Sequence, residues 1–254
     1  MITQLDISII EARLEELIAS ASIGNASLFE AVRYALLDGG KRLRPQMVLS
    51  LGGPHALDIA CAIEMIHNYS LIHDDLPCLD NDLMRRGKPT LHRQFGEATA
   101  LLAGDFLLTY AFEVIAKASL PSPLRVALTE LFSRHSRAMV YGQALDIAAK
   151  GKELSWEAYE GIVFDKTSAL FIAALEAGAL IAALPPTEVQ GWIHFGKLFG
   201  LLYQMKDDAE DNDGPLRKTL SDTNIEKMIT LLTIHAKELL KSLQPPSQFF
   251  HTLL

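Results

Sequence analysis

EMIHNYSLIHDDLPCLDNDLMRRGKPTLHRQFGEATALLAGDFLL, residues 64–108, is the most informative stretch of this 254-residue chain. Its first part has helical periodicity. Glu64, His67, Leu71 and Asp74 follow 3-4-3 spacing and so share one helix face. His67 therefore lies two turns below Asp74, roughly 10 Å along the axis. The helix ends in the pair Asp74-Asp75, and Asp80 follows beyond a turn at Pro77. A basic run, Arg85-Arg86-Gly87-Lys88, comes next, and Pro89 lies in a loop. Residues 97–118 then return to a helical pattern.

Helical periodicity extends outward in both directions. Residues 5–20 read as a helix with Leu5, Ile9, Leu14, Leu17 and Ile18 on one side. Ser27, followed three residues later by Glu30, suggests a capping box for a helix that runs through Leu37 and ends at Gly39-Gly40. Arg44-Pro45 starts a third element, and the helix carrying His67 covers 57–75. Beyond 118, Pro121 and Pro123 break the pattern. Helices are predicted over 124–149, 156–183, 187–210 and 223–243, with Pro185-Pro186 between two of them. Residues 212–222 read as a loop. No long alternating strand pattern, internal repeat or low-complexity linker occurs. The prediction is one all-α domain over residues 1–254.

A second acidic cluster, Asp207-Asp208-Ala209-Glu210-Asp211, resembles the first in design. Gln204, Asp208 and Asp211 are spaced i, i+4, i+7, with Asp207 beside them. Both clusters are introduced by apolar sequence. Like charges buried together are costly unless cations neutralise them, and carboxylates at a helix C-terminus oppose the macrodipole. Hard oxygen ligands of this kind suit Mg²⁺, which keeps waters and binds through one or two carboxylates plus substrate phosphates. The expectation is two acidic helix ends facing each other across a bundle and holding metal. Solvated acidic helix ends are the bland alternative. A calcium loop is excluded, because aligning its glycine with Gly214 puts Ala209 and Leu220 at the key ligand positions.

Basic groups accompany the acids. Gly39-Gly40-Lys41-Arg42-Leu43-Arg44-Pro45 is a glycine-hinged cationic turn suited to phosphate, and Lys166-Thr167 precedes an apolar run. Together they describe a site for a polyanion with metal. No Walker Gly-x-x-x-x-Gly-Lys loop is present, which argues against a P-loop nucleotide enzyme. The formal charge of −8 argues against nucleic-acid binding. It leaves an anionic substrate open, since metal inverts the local charge. The apolar run 169–184 contains Glu176 and is shorter than the roughly 20 residues of a membrane span, so a buried core helix is expected and no integral membrane segment. No basic n-region and apolar h-region open the chain. Cys61 and Cys78 match no zinc or redox spacing and point to a reduced cytoplasm.

The 64–108 stretch, together with GGKRLRP (39–45), GQALD (142–146), KTSALF (166–171) and YQMKDDAED (203–211), resembles the short-chain trans-isoprenyl diphosphate synthases of the polyprenyl synthetase family. The resemblance implies an isoprenoid-synthase helical bundle with a central active-site cavity, usually a homodimer. It implies condensation of isopentenyl diphosphate with an allylic diphosphate. Asp74, Asp80 and Asp207 would ligate three Mg²⁺, supported by Asp75, Asp208 and Asp211. Arg85, Lys166 and Gln204 would hold the allylic diphosphate, and Lys41, Arg44, His67 and Arg86 the isopentenyl diphosphate. Thr167 would lie beside the reacting carbons. Tyr69 and Ser70 lie about 6–7.5 Å deeper than Asp74, where Tyr69 would floor the cavity and stop growth at farnesyl length. The Leu-Pro-Cys-Leu-Asp-Asn-Asp segment also resembles geranylgeranyl enzymes, so that product stays open.

The chain departs from the family pattern where residues 45–64 are compressed, at Asp165, where a His or Tyr is common, and after Asp211. In the last of these a longer loop normally carries a Lys that closes the allylic site; Arg217 or Lys218 would replace it. Two other readings compete. A class I terpene cyclase usually lacks a second Asp-rich motif and the isopentenyl-site basics, and a non-catalytic subunit of a heteromeric synthase usually has degraded Asp motifs. This chain keeps all of these features.

Overall fold

A computed structural model describes residues 7–21, 23–37, 39–210 and 215–254. The chain divides into two compact units. The N-terminal unit holds the described residues of 7–49 and 53–129, and the C-terminal unit those of 50–52 and 130–254. Among the described residues the fold is all-α, as expected, apart from one two-residue-stranded hairpin.

The N-terminal unit contains α1 (Ile7–Ser20), α2 (Ala26–Leu36), most of α3 (Leu43–Gly52), a 3₁₀ turn (Pro54–Ala56), α4 (Leu57–Asp74), β1 (Met84–Arg85), β2 (Lys88–Pro89), α5 (Leu91–Phe95) and α6 (Glu97–Lys117). Its centre is α4, whose residues 59–66 are buried on every side. A helix apolar all round belongs in an interior. Ala100, Ala103, Gly104, Leu107 and Ala111 form a buried stripe on α6, which packs on α4. Among the described residues α6, rather than 169–184, is the helix long and apolar enough to cross a membrane. Its stripe against α4 is that of a core helix.

Two local expectations change. In α1 the buried set is Ile10, Leu14, Leu17 and Ile18. Ile9 is exposed, because the i, i+4, i+7, i+8 period starts at Ile10, and Leu5 lies outside the described residues. Asn25, not Ser27, caps α2. Its backbone is extended and its Oδ1 accepts from the Leu28 N–H at 2.9 Å, the geometry an N-cap requires. Ser27 lies inside the first turn, so the Ser27/Glu30 box does not form.

The C-terminal unit receives most of α7 (Ser122–Ala149), then α8 (Trp156–Val163), a π turn (Phe164–Ser168), α9 (Ala169–Ile181), α10 (Pro186–Glu210), α11 (Pro215–Thr219), α12 (Asp222–Leu243) and a terminal 3₁₀ turn (Gln248–Leu253). Pro123 sits in the first turn of α7 instead of breaking it, where its missing N–H costs nothing. The predicted 156–183 helix is interrupted by the π turn. The core helix expected at 169–184 is α9, nearly all of it buried. Its Glu176 is paired with Arg134 at 3.2 Å and His135 at 3.5 Å. The predicted loop 212–222 contains α11, because Leu216 is wholly buried in a cluster with Tyr159 of α8, Leu202 and Met205 of α10 and Ile225 of α12. Residues 212–214 lie outside the described residues.

Candidate active site

In the N-terminal unit, α4 ends at Asp74 and the chain turns back on itself. The Asp80 N–H donates to the Asp74 carbonyl at 3.0 Å, and the Asn81 N–H to the Leu76 carbonyl at 3.1 Å. The loop thus returns Asp80 to the end of the helix. Asp74 is half-buried and Asp80 exposed. Only Asp75 of this motif is buried, at 3% exposure. Its charge is met by protein rather than awaiting metal: Arg85 Nε donates to both carboxylate oxygens at 2.8 Å and Nη2 to Oδ1 at 2.5 Å. Burial pushes the Asp75 carboxyl up, and the Arg85 pairing opposes that shift.

The β1–β2 hairpin explains how two adjacent arginines serve different ends. Met84 pairs with Pro89 and Arg85 with Lys88, leaving Arg86-Gly87 as the loop, both at positive φ, as two-residue hairpins demand. Arg85 turns to Asp75 and Asp82, while Arg86 Nη1 donates to the Gly39 carbonyl at 2.7 Å. Gly40 has φ +118, and a Cβ there would lie 2.9 Å from Arg86 Cζ. The backbone favours glycine at this contact, and a Cβ would push the Arg86 guanidinium aside.

The basic turn 41–45 separates into distinct roles. Lys41 is exposed, with its carbonyl pinned by Gln46 Nε2 at 2.8 Å. Arg44 Nη1 donates to His67 Nε2 at 3.3 Å. An Arg can only donate, so Nε2 accepts and the ring proton lies on Nδ1. Burial, then the charges of Arg44, Arg86, Arg85 and Arg42, hold His67 well below the ordinary histidine pKa and keep it neutral. Arg44 and Arg86 thus lie close enough to His67 to act on it, and Lys41 stands exposed in the same unit. Arg42 is different. It is 2% exposed and donates to Glu11 at 2.7 and 3.1 Å, to Glu64 at 2.6 Å and to the Leu36 carbonyl at 2.7 Å. Glu64, which shares the helix face of His67, serves as its buried anchor.

Tyr69 is 5% exposed and packs edge-on against His73, ring centroids 5.7 Å apart. Burial, then the charge of Asp74, pushes its hydroxyl up to about 12. Ser70 is half-buried and donates to the His67 carbonyl of its own helix at 2.8 Å.

In the C-terminal unit, the π turn presents Lys166 and Thr167. A π insertion bulges the backbone and is frequent at functional sites. Gly142 of α7 makes room for it: a Cβ there would lie 2.3 Å from the Lys166 backbone nitrogen. One turn further along α7, Asp146 accepts from Lys166 Nζ at 2.5 Å. We expect Gly142→Ala to cost about 1–3 kcal/mol, as other overpacked cores do, and to lower turnover by moving Lys166. Chemical denaturation and steady-state kinetics check both.

A hydrogen-bonded chain links the π turn to the second acidic motif. Thr167 Oγ1 donates to Gln204 Oε1 at 2.7 Å, Gln204 Nε2 donates to Asp208 Oδ1 at 2.8 Å, and the Tyr159 hydroxyl donates to Asp208 Oδ2 at 2.6 Å. Burial raises the Asp208 pKa, and these two donors oppose the rise. Asp207 is exposed, and Asp211 lies outside the described residues. Arg217 Nη2 donates to the Ala209 carbonyl at 2.8 Å, and the guanidinium pairs with Asp222; Lys218 is exposed. Sequence reading missed Tyr159 and the role of Asp146. Asp146 lies inside GQALD, but nothing marks Tyr159, which meets Asp208 from 49 positions away.

Among the described residues no three His, Cys, Asp or Glu side chains form a metal-binding group. The exposed carboxylates of Asp80 and Asp207 are hard oxygen donors, of the kind Mg²⁺ takes together with water and substrate oxygen. Asp74, at the end of α4, is half-buried; Asp80, in the loop after it, and Asp207 and Glu210, in the last turn of α10, are exposed.

The chain is 40% identical to the farnesyl diphosphate synthase of Micrococcus luteus, over 94% of its own length and 91% of that protein. It is 44% identical to geranylgeranyl pyrophosphate synthase 7 of Arabidopsis thaliana, over 72% of this chain and 56% of that protein. A crystal structure of an FPP/GFPP synthase from Zymomonas mobilis superposes with a TM-score of 0.90 at 32% identity, covering 96% of this chain and 92% of that one. The polyprenyl synthetase family model matches residues 25–246. Basic and acidic motifs held on buried helices, a match over most of the chain and a shared fold place this protein in the polyprenyl synthetase family, as a prenyltransferase of isoprenoid biosynthesis.

Proposed function

We propose that the protein condenses isopentenyl diphosphate head-to-tail with dimethylallyl or geranyl diphosphate to give (E,E)-farnesyl diphosphate, in a Mg²⁺-dependent reaction. The supporting observation is the gathering of Arg44 and Arg86 around a neutral His67, on the helix that ends in Asp74. A cationic pocket in a chain of charge −8 is what a diphosphate needs. Geranylgeranyl diphosphate is the second reading, favoured by the similarity to the Arabidopsis protein.

In this proposal Asp74, Asp80 and Asp207 ligate Mg²⁺, with Asp75, Asp208 and Asp211 in support. Bound Mg²⁺ supplies Lewis-acid stabilisation of the departing diphosphate. Lys166, Arg85 and Gln204 add donors to the allylic diphosphate as its C–O bond ionises. Asp146 orients Lys166, and the Asp75 pairing orients Arg85. Lys41, Arg44, Arg86 and the His67 Nδ1–H hold isopentenyl diphosphate while its double bond attacks the allylic cation. Apolar side chains keep water from that cation, and Thr167, fixed by Gln204, flanks the reacting carbons. The departing diphosphate takes the final proton.

The same proposal takes residues 1–254 as one catalytic domain acting as a cytoplasmic homodimer. The family match over 25–246 supports the domain, and the unpaired Cys61 and Cys78 suit a reducing compartment. Incubation of purified protein with isopentenyl diphosphate, Mg²⁺ and each allylic primer tests the reaction. Absence of isopentenyl-dependent elongation rejects it.

Tyr69 is proposed as the floor of the product cavity, with Ser70 beside it. Tyr69→Ala should shift the main product to a longer chain, read by sizing radiolabelled products. An unchanged product would place the floor elsewhere.

A further inference from the structure

Tyr159 belongs to none of the sequence motifs. It sits on α8, is 2% exposed, and packs against Trp156 with the rings tilted and their centroids 5.7 Å apart. Its ring lies in the apolar cluster with Leu216 and Ile225, the residues that bring α11 and α12 against the end of α10. Its one polar atom donates to Asp208 Oδ2 at 2.6 Å, opposite the Gln204 amide on Oδ1 at 2.8 Å. Both oxygens of Asp208 are therefore claimed by neutral donors, from different helices, and the carboxylate is held in one rotamer. Asp207, next along α10, is exposed. The segment behind them is short, and the end of α10 is tied down by two groups from elsewhere: the Tyr159 hydroxyl on Asp208 and the Arg217 guanidinium on the Ala209 carbonyl.

We infer that Tyr159 is a positioning residue for the second acidic motif: its hydroxyl, seated on the α11–α12 core, fixes Asp208 and through it the end of α10 that presents Asp207 to metal and diphosphate. This rests on the reading of the protein as a Mg²⁺-dependent prenyl diphosphate synthase. Metal-site geometry is set by the hydrogen bonds to its ligands and their neighbours as much as by the ligands, and loss of such a partner typically costs 10–100-fold in metal affinity or activity. A hydroxyl removed from a well-packed ring leaves the packing in place, so the effect should appear in metal dependence before it appears in folding.

The test is Tyr159→Phe in the full chain, with inorganic diphosphate and Mg²⁺ as the probe. Thermal unfolding is followed while Mg²⁺ is titrated at fixed diphosphate, and kcat is measured beside it. The inference expects a melting temperature without ligand close to wild type. It expects the Mg²⁺ concentration for half-maximal stabilisation to rise about 10-fold, and kcat to fall with it. Tyr159→His, which restores an N–H donor, should recover part of the shift. A folded Tyr159→Phe with wild-type Mg²⁺ dependence overturns the inference; so does a shift matched by an equal loss of ligand-free stability, which would mark plain packing. Should the variant not fold, a crystal structure of the wild-type protein with Mg²⁺ and diphosphate decides: the Tyr159–Asp208 bond must persist below 3.2 Å, and its loss overturns the inference. If the wild-type protein responds to neither Mg²⁺ nor diphosphate, the proposed function has failed, not the role of Tyr159 within it.

Discussion

Asp207→Ala should lower kcat by about 10²–10³-fold, the loss that follows removal of one electrostatic group aimed at developing charge, while changing stability by less than about 0.5 kcal/mol. The two halves of this expectation come from the same fact. Asp207 is exposed at the last turn of α10, so it contributes little to packing and works against the helix dipole. Asp208, one position on, should behave otherwise. It is half-buried and carries two internal hydrogen bonds, so Asp208→Ala leaves the Tyr159 hydroxyl and the Gln204 amide without partners and loses stability as well. Steady-state kinetics with saturating substrates, set beside chemical denaturation, separate the pair. Near-normal turnover in Asp207→Ala would remove it from the ligand set.

Arg42→Met should destabilise the protein by about 3–5 kcal/mol, the range for breaking one side of a buried ion pair. Glu64 is 2% exposed and would lose its charged partner, while the Leu36 carbonyl would lose its donor. Arg42 also sits at φ +46, a strained backbone for a residue with a Cβ, which the four hydrogen bonds to Glu11, Glu64 and Leu36 hold in place. Lys41→Ala, one position earlier and exposed, should leave stability nearly untouched and instead raise the KM for isopentenyl diphosphate. Urea titration of the two variants gives the comparison. A midpoint for Arg42→Met close to that of Lys41→Ala would return Arg42 to the phosphate-binding turn.

That contrast shows how the site was legible. Lys41, Arg42 and Arg44 are alike as letters in a cationic turn. Their roles differ because α1 and α4 deliver Glu11 and Glu64 to the middle one, from 31 and 22 positions away. Arg85 and Arg86 were likewise one basic run until the hairpin turned them to Asp75 and to Gly39. The acidic clusters were read as buried charges needing metal; among their described aspartates Asp75 is buried and Asp74 and Asp208 are half-buried, and protein donors meet Asp75 and Asp208. The caps and breaks that failed, at Ser27, Pro123 and 212–222, did so because a neighbouring cap, a tolerated first-turn proline and the burial of Leu216 outweighed local propensity.

Patterns that act over one or two turns were readable from the chain alone. Helical periodicity specified an all-α fold, net charge argued against nucleic-acid binding, and motif order pointed to the family, because each depends on residues close in sequence or on whole-chain totals. Which arginine faces a carboxylate and which a glycine, why Lys166 stands on a π turn, and that Tyr159 holds Asp208 were decided by packing. Those contacts join residues 10 to 49 positions apart, and only the folded chain brings the partners within hydrogen-bonding distance.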